Sequence, residues 1–206
     1  MNTQNFSTST NSYNVAVGYN AGVSVTTGEQ CTLIGGLAGD ALTTGSALAI
    51  GYQAGSALTT SVGNVLVGEL AGAAVTTGAG NTALGSQALS TATTGGFNVA
   101  IGHDALRYST ATGNTAVGYN ALDANTSGNA NTALGKDTST TSTTAQNNIA
   151  IGNDALFSAT TGSYNVAVGV ASLDVNTTGQ ENPAVGQAAL GANTTAHANT
   201  AMGSAA

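Results

Sequence analysis

Charge is nearly missing from this sequence. Of its 206 residues only Arg107 and Lys136 are basic, against nine acidic ones, for a formal net charge of -7. Phosphate neutralisation needs a basic patch, so nucleic-acid binding is excluded. Charged residues make up 5% of the chain, where an ordinary soluble domain has roughly 25%. Disorder does not follow from this, because disordered segments are poor in apolar residues and rich in charge or proline. Here 41% of the residues are apolar and Pro183 is the single proline. Cys31 is the single cysteine, which excludes an internal disulfide framework and any thiolate metal cluster. Tryptophan is absent and 29 residues are glycine, so the side chains are small on average. No apolar run approaches the ~20 residues of a membrane-spanning helix, so no membrane insertion is expected. The start, MNTQNFSTST, has neither the basic end nor the apolar stretch of a signal peptide.

What is present is a repeat, and it runs through the chain. A phrase of the form N-x-A-[VIL]-G recurs, as NVAVG at 14–18, NVLVG at 64–68, NTALG at 81–85, NVAIG at 98–102, NTAVG at 114–118 and NVAVG at 165–169. Its closing glycines are Gly18, Gly35, Gly51, Gly68, Gly85, Gly102, Gly118, Gly135, Gly152, Gly169, Gly186 and Gly203. Nine of the eleven intervals are 17 residues and two are 16. One residue before the glycine a large apolar side chain stands in all twelve copies, from Val17 to Met202. Two before it is alanine in ten copies, with Leu33 and Leu66 as exceptions; four before it is asparagine in ten, with Cys31 and Ala47 as exceptions. Eight after it is threonine in all eleven complete copies, beginning with Thr26, Thr43, Thr59 and Thr76.

A unit of this length cannot hold two helices and two turns, and β-branched residues, asparagine and glycine dominate it. The apolar phrase is about five residues long and bounded by turn residues, which reads as a strand. The expected fold is all-β: a parallel β-solenoid of about twelve coils, each a flattened path of two short strands and two turns. Eleven steps of ~4.8 Å give a rod roughly 53 Å long. The whole chain, 1–206, is one solenoid domain, with a partial coil at 1–13 and the repeat array over 14–206. Alternation along the strand places the asparagine, the alanine and the glycine on one face and the larger apolar residues on the other. One face fills the coil interior; the other is expected to pack against a second copy of the chain. Stacked asparagines are expected to pair with backbone groups and with each other.

Two further columns compensate one another. Four after the glycine, the first four copies carry Gly22, Gly39, Gly55 and Gly72, and seven after it they carry Val25, Leu42, Leu58 and Val75. From the fifth copy the bulky residue moves to the earlier position, as Leu89, Leu106, Leu122, Leu156, Leu173 and Leu190. Both columns are expected to point into one cavity. The copy after Gly135 has Ser139 and Ser142 instead, which marks 136–147 as the weakest coil.

The motif N-[TV]-A-[VI]-G, followed by A-L and a T-T-G turn, resembles the head repeats of trimeric autotransporter adhesins and, more closely, related repeats in bacteriophage tail fibres. The resemblance covers residues 14–203. It implies a left-handed parallel β-roll assembled as a parallel homotrimer, acting as a stalk or surface-binding head. The unit here is longer than the usual adhesin repeat, and no heptad segment is present. A phage fibre or a free extracellular filament is therefore expected rather than an autotransporter, with a virion or extracellular location. Met1 lies one period before Gly18 and Ala206 falls mid-coil, so end-to-end stacking or contact with a neighbouring virion protein is expected at the two ends.

Residues for chemistry are few, and no enzyme, cofactor or metal is expected. His103 adjoins Asp104, but neighbours on a strand face opposite ways, so both His103 and His197 are read as surface residues. Asp104, Asp137 and Asp154 share a column without the oxygen-rich loop that calcium needs. Lys136 has no phosphate-loop context. Tyr19, Tyr52 and Tyr119 share the column just after the glycine, either as cross-coil packing or as a platform for a cell-surface glycan. The threonine ladder of Thr26, Thr43, Thr59 and Thr76 is either a turn that bonds its own backbone or an ice-binding row. The leading expectation is a self-associating structural or adhesive fibre protein; the alternative is an ice- or glycan-binding solenoid.

Overall fold

The computed structural model describes residues 13–206, so the partial coil expected at 1–13 lies, apart from Tyr13, outside the described residues. Twelve short strands, from β1 (Val15–Val17) to β12 (Ala201–Met202), form one parallel sheet in sequence order. This is the β-solenoid that the repeat predicts. Each strand pairs with the next in the register of the repeat, as Ala83 with Ala100 and Ala100 with Ala116. The two 16-residue coils keep that register over the three residues before the motif glycine, as Ala49 with Leu33 and Ala116 with Ala100. In the first of them the pairing of β3 (Ser46–Ile50) with β4 (Val62–Val67) shifts between Ser46 and Ala47.

The alanine face is the inner one. Ala49, Ala83, Ala100, Ala116, Ala167 and Ala184 are fully buried, and so are Leu33 and Leu66 where leucine replaces alanine. The motif glycines face the same way and are held by two constraints. Their φ angles lie between +131° and +140°, which L side chains rarely adopt. A Cβ on any of them from Gly18 to Gly186 would also overlap the carbonyl oxygen of the next motif glycine.

One strand forms per coil rather than the expected two. Residues two and four after the glycine take positive φ, as at Gln53, Asp104, Leu106 and Leu122, which bends the second leg into a run of tight turns. That leg still bonds across coils: the N–H groups of Leu106, Tyr108 and Thr110 donate to the carbonyls of Ala121, Asp123 and Thr126.

The two compensating columns do share one space. Leu42 and Leu58 from the later position, and Leu89, Leu106, Leu156 and Leu173 from the earlier one, are all fully buried. A Cβ at Gly55 would lie 2.7 Å from Leu58 Cδ1 and 2.8 Å from Leu66 Cδ1. At Gly39 it would meet Leu33 at 2.8 Å, and at Gly72 it would meet Leu66 at 2.7 Å. The exceptional leucines Leu33 and Leu66 thus occur where the facing residue is glycine. The buried apolar side chains form two clusters, Ala21 to Ala133 and Ala150 to Ala201, with the coil after Gly135 between them.

Candidate functional site: an apolar outer face

Because small residues fill the interior, the large ones of the strand point outward. In the first described coil Tyr13, Val15, Val17 and Tyr19 are 73%, 49%, 58% and 73% exposed. The same columns expose Val65, Leu84, Leu134, Ile149, Val185 and Met202 farther along. The result is a largely apolar strip, interrupted by Thr32, Thr82, Thr115, Thr132 and Thr200, running the length of the rod, roughly 50 Å by 10 Å, on the order of 500 Å². That is at the upper end of what a monomer leaves uncovered, roughly 300–600 Å². Aromatic side chains flank it. Phe97 and Tyr164, like Tyr13, stand exposed at the strand's entry, and the ring of Phe97 lies over Gly80. These entry residues were not singled out by sequence reasoning, although their fixed place five before the glycine was a sufficient signal.

An asparagine ladder keeps the strip straight from behind. The buried Asn98 accepts the N–H of Asn114 at 2.9 Å, Asn114 that of Asn131 at 2.9 Å, and Asn131 that of Asn148 at 3.0 Å. The amide nitrogens donate to turn carbonyls, Asn131 to Ala145 and Asn148 to Gly162, both at 2.8 Å. Comparison with family models, curated proteins and solved structures returned no match. Cys31 interrupts the ladder; its N–H still reaches Asn14 Oδ1 at 2.8 Å. Burial pushes its thiol pKa up, away from the reactive thiolate.

The threonine column is turned to the backbone. The hydroxyl of Thr26 donates to the carbonyl of Thr43, Thr43 to Thr59 and Thr59 to Thr76, at 3.0–3.2 Å. Thr76 continues the ladder to Thr93, and Thr110, Thr126, Thr143, Thr160 and Thr177 do the same to their successors. These hydroxyl hydrogens are engaged within the protein.

In the tyrosine column, Tyr52 lies against Gly36 and Tyr119 stacks on His103 with ring centroids 5.7 Å apart. Tyr19, Tyr52 and Tyr119 all remain exposed. The expectation for His103 and Asp104 needs correction. They do meet, with Nδ1 2.9 Å from Oδ2, because Asp104 has φ +58° and leaves the strand alternation. His197 is exposed in its turn, and its Nδ1 accepts the N–H of Gln180.

Arg107 is the centre of the charged surface. It contacts Asp104 at 3.1 Å, Asp123 of the next coil at 3.5 Å, and the hydroxyl of Tyr108. Asp137 pairs with Lys136 at 2.6 Å and accepts from Asn120 at 3.0 Å. Among the described residues no group of three or more His, Cys, Asp or Glu is placed to hold a metal ion, and no helix is long and apolar enough to cross a membrane.

Proposed function

We propose that this chain is a non-enzymatic structural or adhesive rod that works as a bundle of identical copies joined along the apolar strip. The outward column of aliphatic side chains one residue before each motif glycine carries this reading. It is kept apolar in all twelve copies although it lies outside the core. A second copy of the chain fits it best, because equal coil spacing lets side chains meet row by row along the whole rod. A partner of different pitch would match over a few rows only. With its flanking aromatics the strip approaches the ~800 Å² per partner of a stable interface. The near-absence of charge supports the same reading, since like charges at ~4.8 Å steps would repel along the rod and between copies. The likeness of the repeat to tail-fibre and adhesin-head repeats favours three parallel copies, in a virion fibre or an extracellular filament. Contact with a cell surface would then fall to the turns and to the column after the glycine. The ice-binding alternative is weakened by the inward bonding of the threonine hydroxyls, and thermal hysteresis is expected to be zero.

Sedimentation velocity with electron microscopy tests the proposal. The expected species is a trimeric rod. Val67→Lys with Ile101→Lys should release folded monomers, because both side chains lie outside the coil. A wild-type chain that stays monomeric at high concentration overturns the reading.

A further inference from the structure

Every complete coil but one carries leucine or valine four or seven residues after its motif glycine. The exception follows Gly135, where the two positions are Ser139 and Ser142, both buried. Leu122 in the coil before and Leu156 in the coil after are fully enclosed at the first of these positions. A serine side chain has two heavy atoms fewer than leucine, so the shared interior is under-filled with carbon at this level. The two apolar clusters stop on either side of it, at Ala133 and Ala150. Polar groups occupy the interval. The buried Thr138, standing where most coils have alanine, donates to the carbonyl of Gly152 at 2.8 Å. The Oγ of Ser142 is shielded from solvent and meets no hydrogen-bond partner in the protein.

Buried hydroxyls are rarely left unpaired, and ordered water is the group that pairs them in polar interiors. We propose that this coil holds water between Ser139 and Ser142 in place of an aliphatic side chain, and that the wet coil divides the rod into two cooperative units. In a solenoid each coil is held by its neighbours alone. A coil that adds little apolar burial passes less stabilisation from one side to the other, and it opens first. The rod then yields at one defined level, with a longer unit before it and a shorter one after.

Amide hydrogen exchange on the full-length protein tests this. Amides of residues 137–145 should exchange at least about tenfold faster than the equivalent amides of 120–128 and 154–162, the factor that one missing buried aliphatic side chain implies. A uniform profile across the three coils overturns the proposal. Ser139→Leu supplies the second test. Ser139 has φ +53°, as Leu122 does, and Leu156 has +55°, so leucine enters a backbone its neighbours already use. The variant should melt at higher temperature, exchange uniformly, and lose the long-lived water signal that magnetic relaxation dispersion detects in the wild type. A Ser139→Leu protein that keeps the exchange contrast, or a wild type without that water signal, overturns the proposal.

Discussion

The four coils after Gly18, Gly35, Gly51 and Gly68 and the coils after Gly85 reach the same cross-section by opposite routes. In the first region glycine sits at the tight turn and a leucine or valine three residues later fills the interior. In the second the leucine itself occupies the turn, at φ of +50° to +55° for Leu89, Leu106, Leu122, Leu156, Leu173 and Leu190. That conformation costs about 1–2 kcal/mol for an L residue, and burying the leucine offsets it with about 1.5–3 kcal/mol. The first region avoids the backbone cost and keeps room for Leu33 and Leu66 on the facing strand. Cavity volume is therefore what the coils hold in common, and the residue that supplies it is free to move.

The harshest way to break the comparison is to strike what both regions share. Gly51→Val and Gly152→Val each put a side chain into the carbonyl of the next coil at a φ above +130°. Both should lose more than about 4 kcal/mol in thermal or urea unfolding, equally in the two regions. A mild loss at either site would mean that the ladder of glycines is not what sets the coil spacing.

The second test transplants one arrangement into the other. Leu106→Gly should lose about 3–5 kcal/mol by emptying the interior. Adding Ser109→Leu rebuilds the first-region arrangement and should restore most of that loss. Additive effects of the two changes in a double-mutant cycle would show that the columns do not share a cavity. The reverse transplant is harder. Gly55→Leu collides with both Leu58 and Leu66, so Leu58→Ala alone should leave it unfavourable by about 1–3 kcal/mol, and Leu66→Ala is needed as well.

Much of this was legible in the sequence because the repeat printed each column twelve times. A column of ten alanines and a column of large apolar residues, set one residue apart, establish two faces. The exchange between Gly55/Leu58 and Leu106/Ser109 reveals a shared cavity before any coordinate is known. Which face is the inner one was not legible, since alanine is compatible with a thin core and with close packing between rods. The loss of the second strand was missed for a local reason. Leucines and aspartates at positive φ, such as Leu122 and Asp104, are uncommon, and a pattern of apolar and polar residues carries no signal of φ. The contact between His103 and Asp104 was missed for the same reason.

The asparagine ladder differs between the regions in continuity. It is broken at Cys31 and Ala47 in the first and unbroken from Asn64 onward. Asn131→Ala would strand the N–H of Asn148 and the carbonyl of Ala145. It should lower stability by about 1–3 kcal/mol in chemical unfolding. A loss near zero would mean that backbone pairing carries the second region without its amides, as it does the first at Ala47.

The smallest effect separates two aspartates in one column, five residues after the glycine. Burial raises the pKa of both Asp40 and Asp123 above the usual carboxylate value of 3.8. For Asp123 the guanidinium of Arg107 opposes that rise; for Asp40 the backbone N–H groups of Asp40 and Ala41 do so. A raised carboxyl pKa means that the folded chain prefers the protonated acid. The stabilisation is fully present below the unfolded value and is lost as pH rises through the folded one. Wild-type Tm should therefore increase on going from about pH 7 to about pH 4 to the extent that these two groups govern it. Asp40→Asn should raise Tm at neutral pH and flatten that acid gain. Asp123→Asn should bring a smaller rise, because it also removes the negative charge that Arg107 faces across the coils. Equal responses of the two variants would show that the ion pair leaves its aspartate no better placed than the one held by backbone N–H groups.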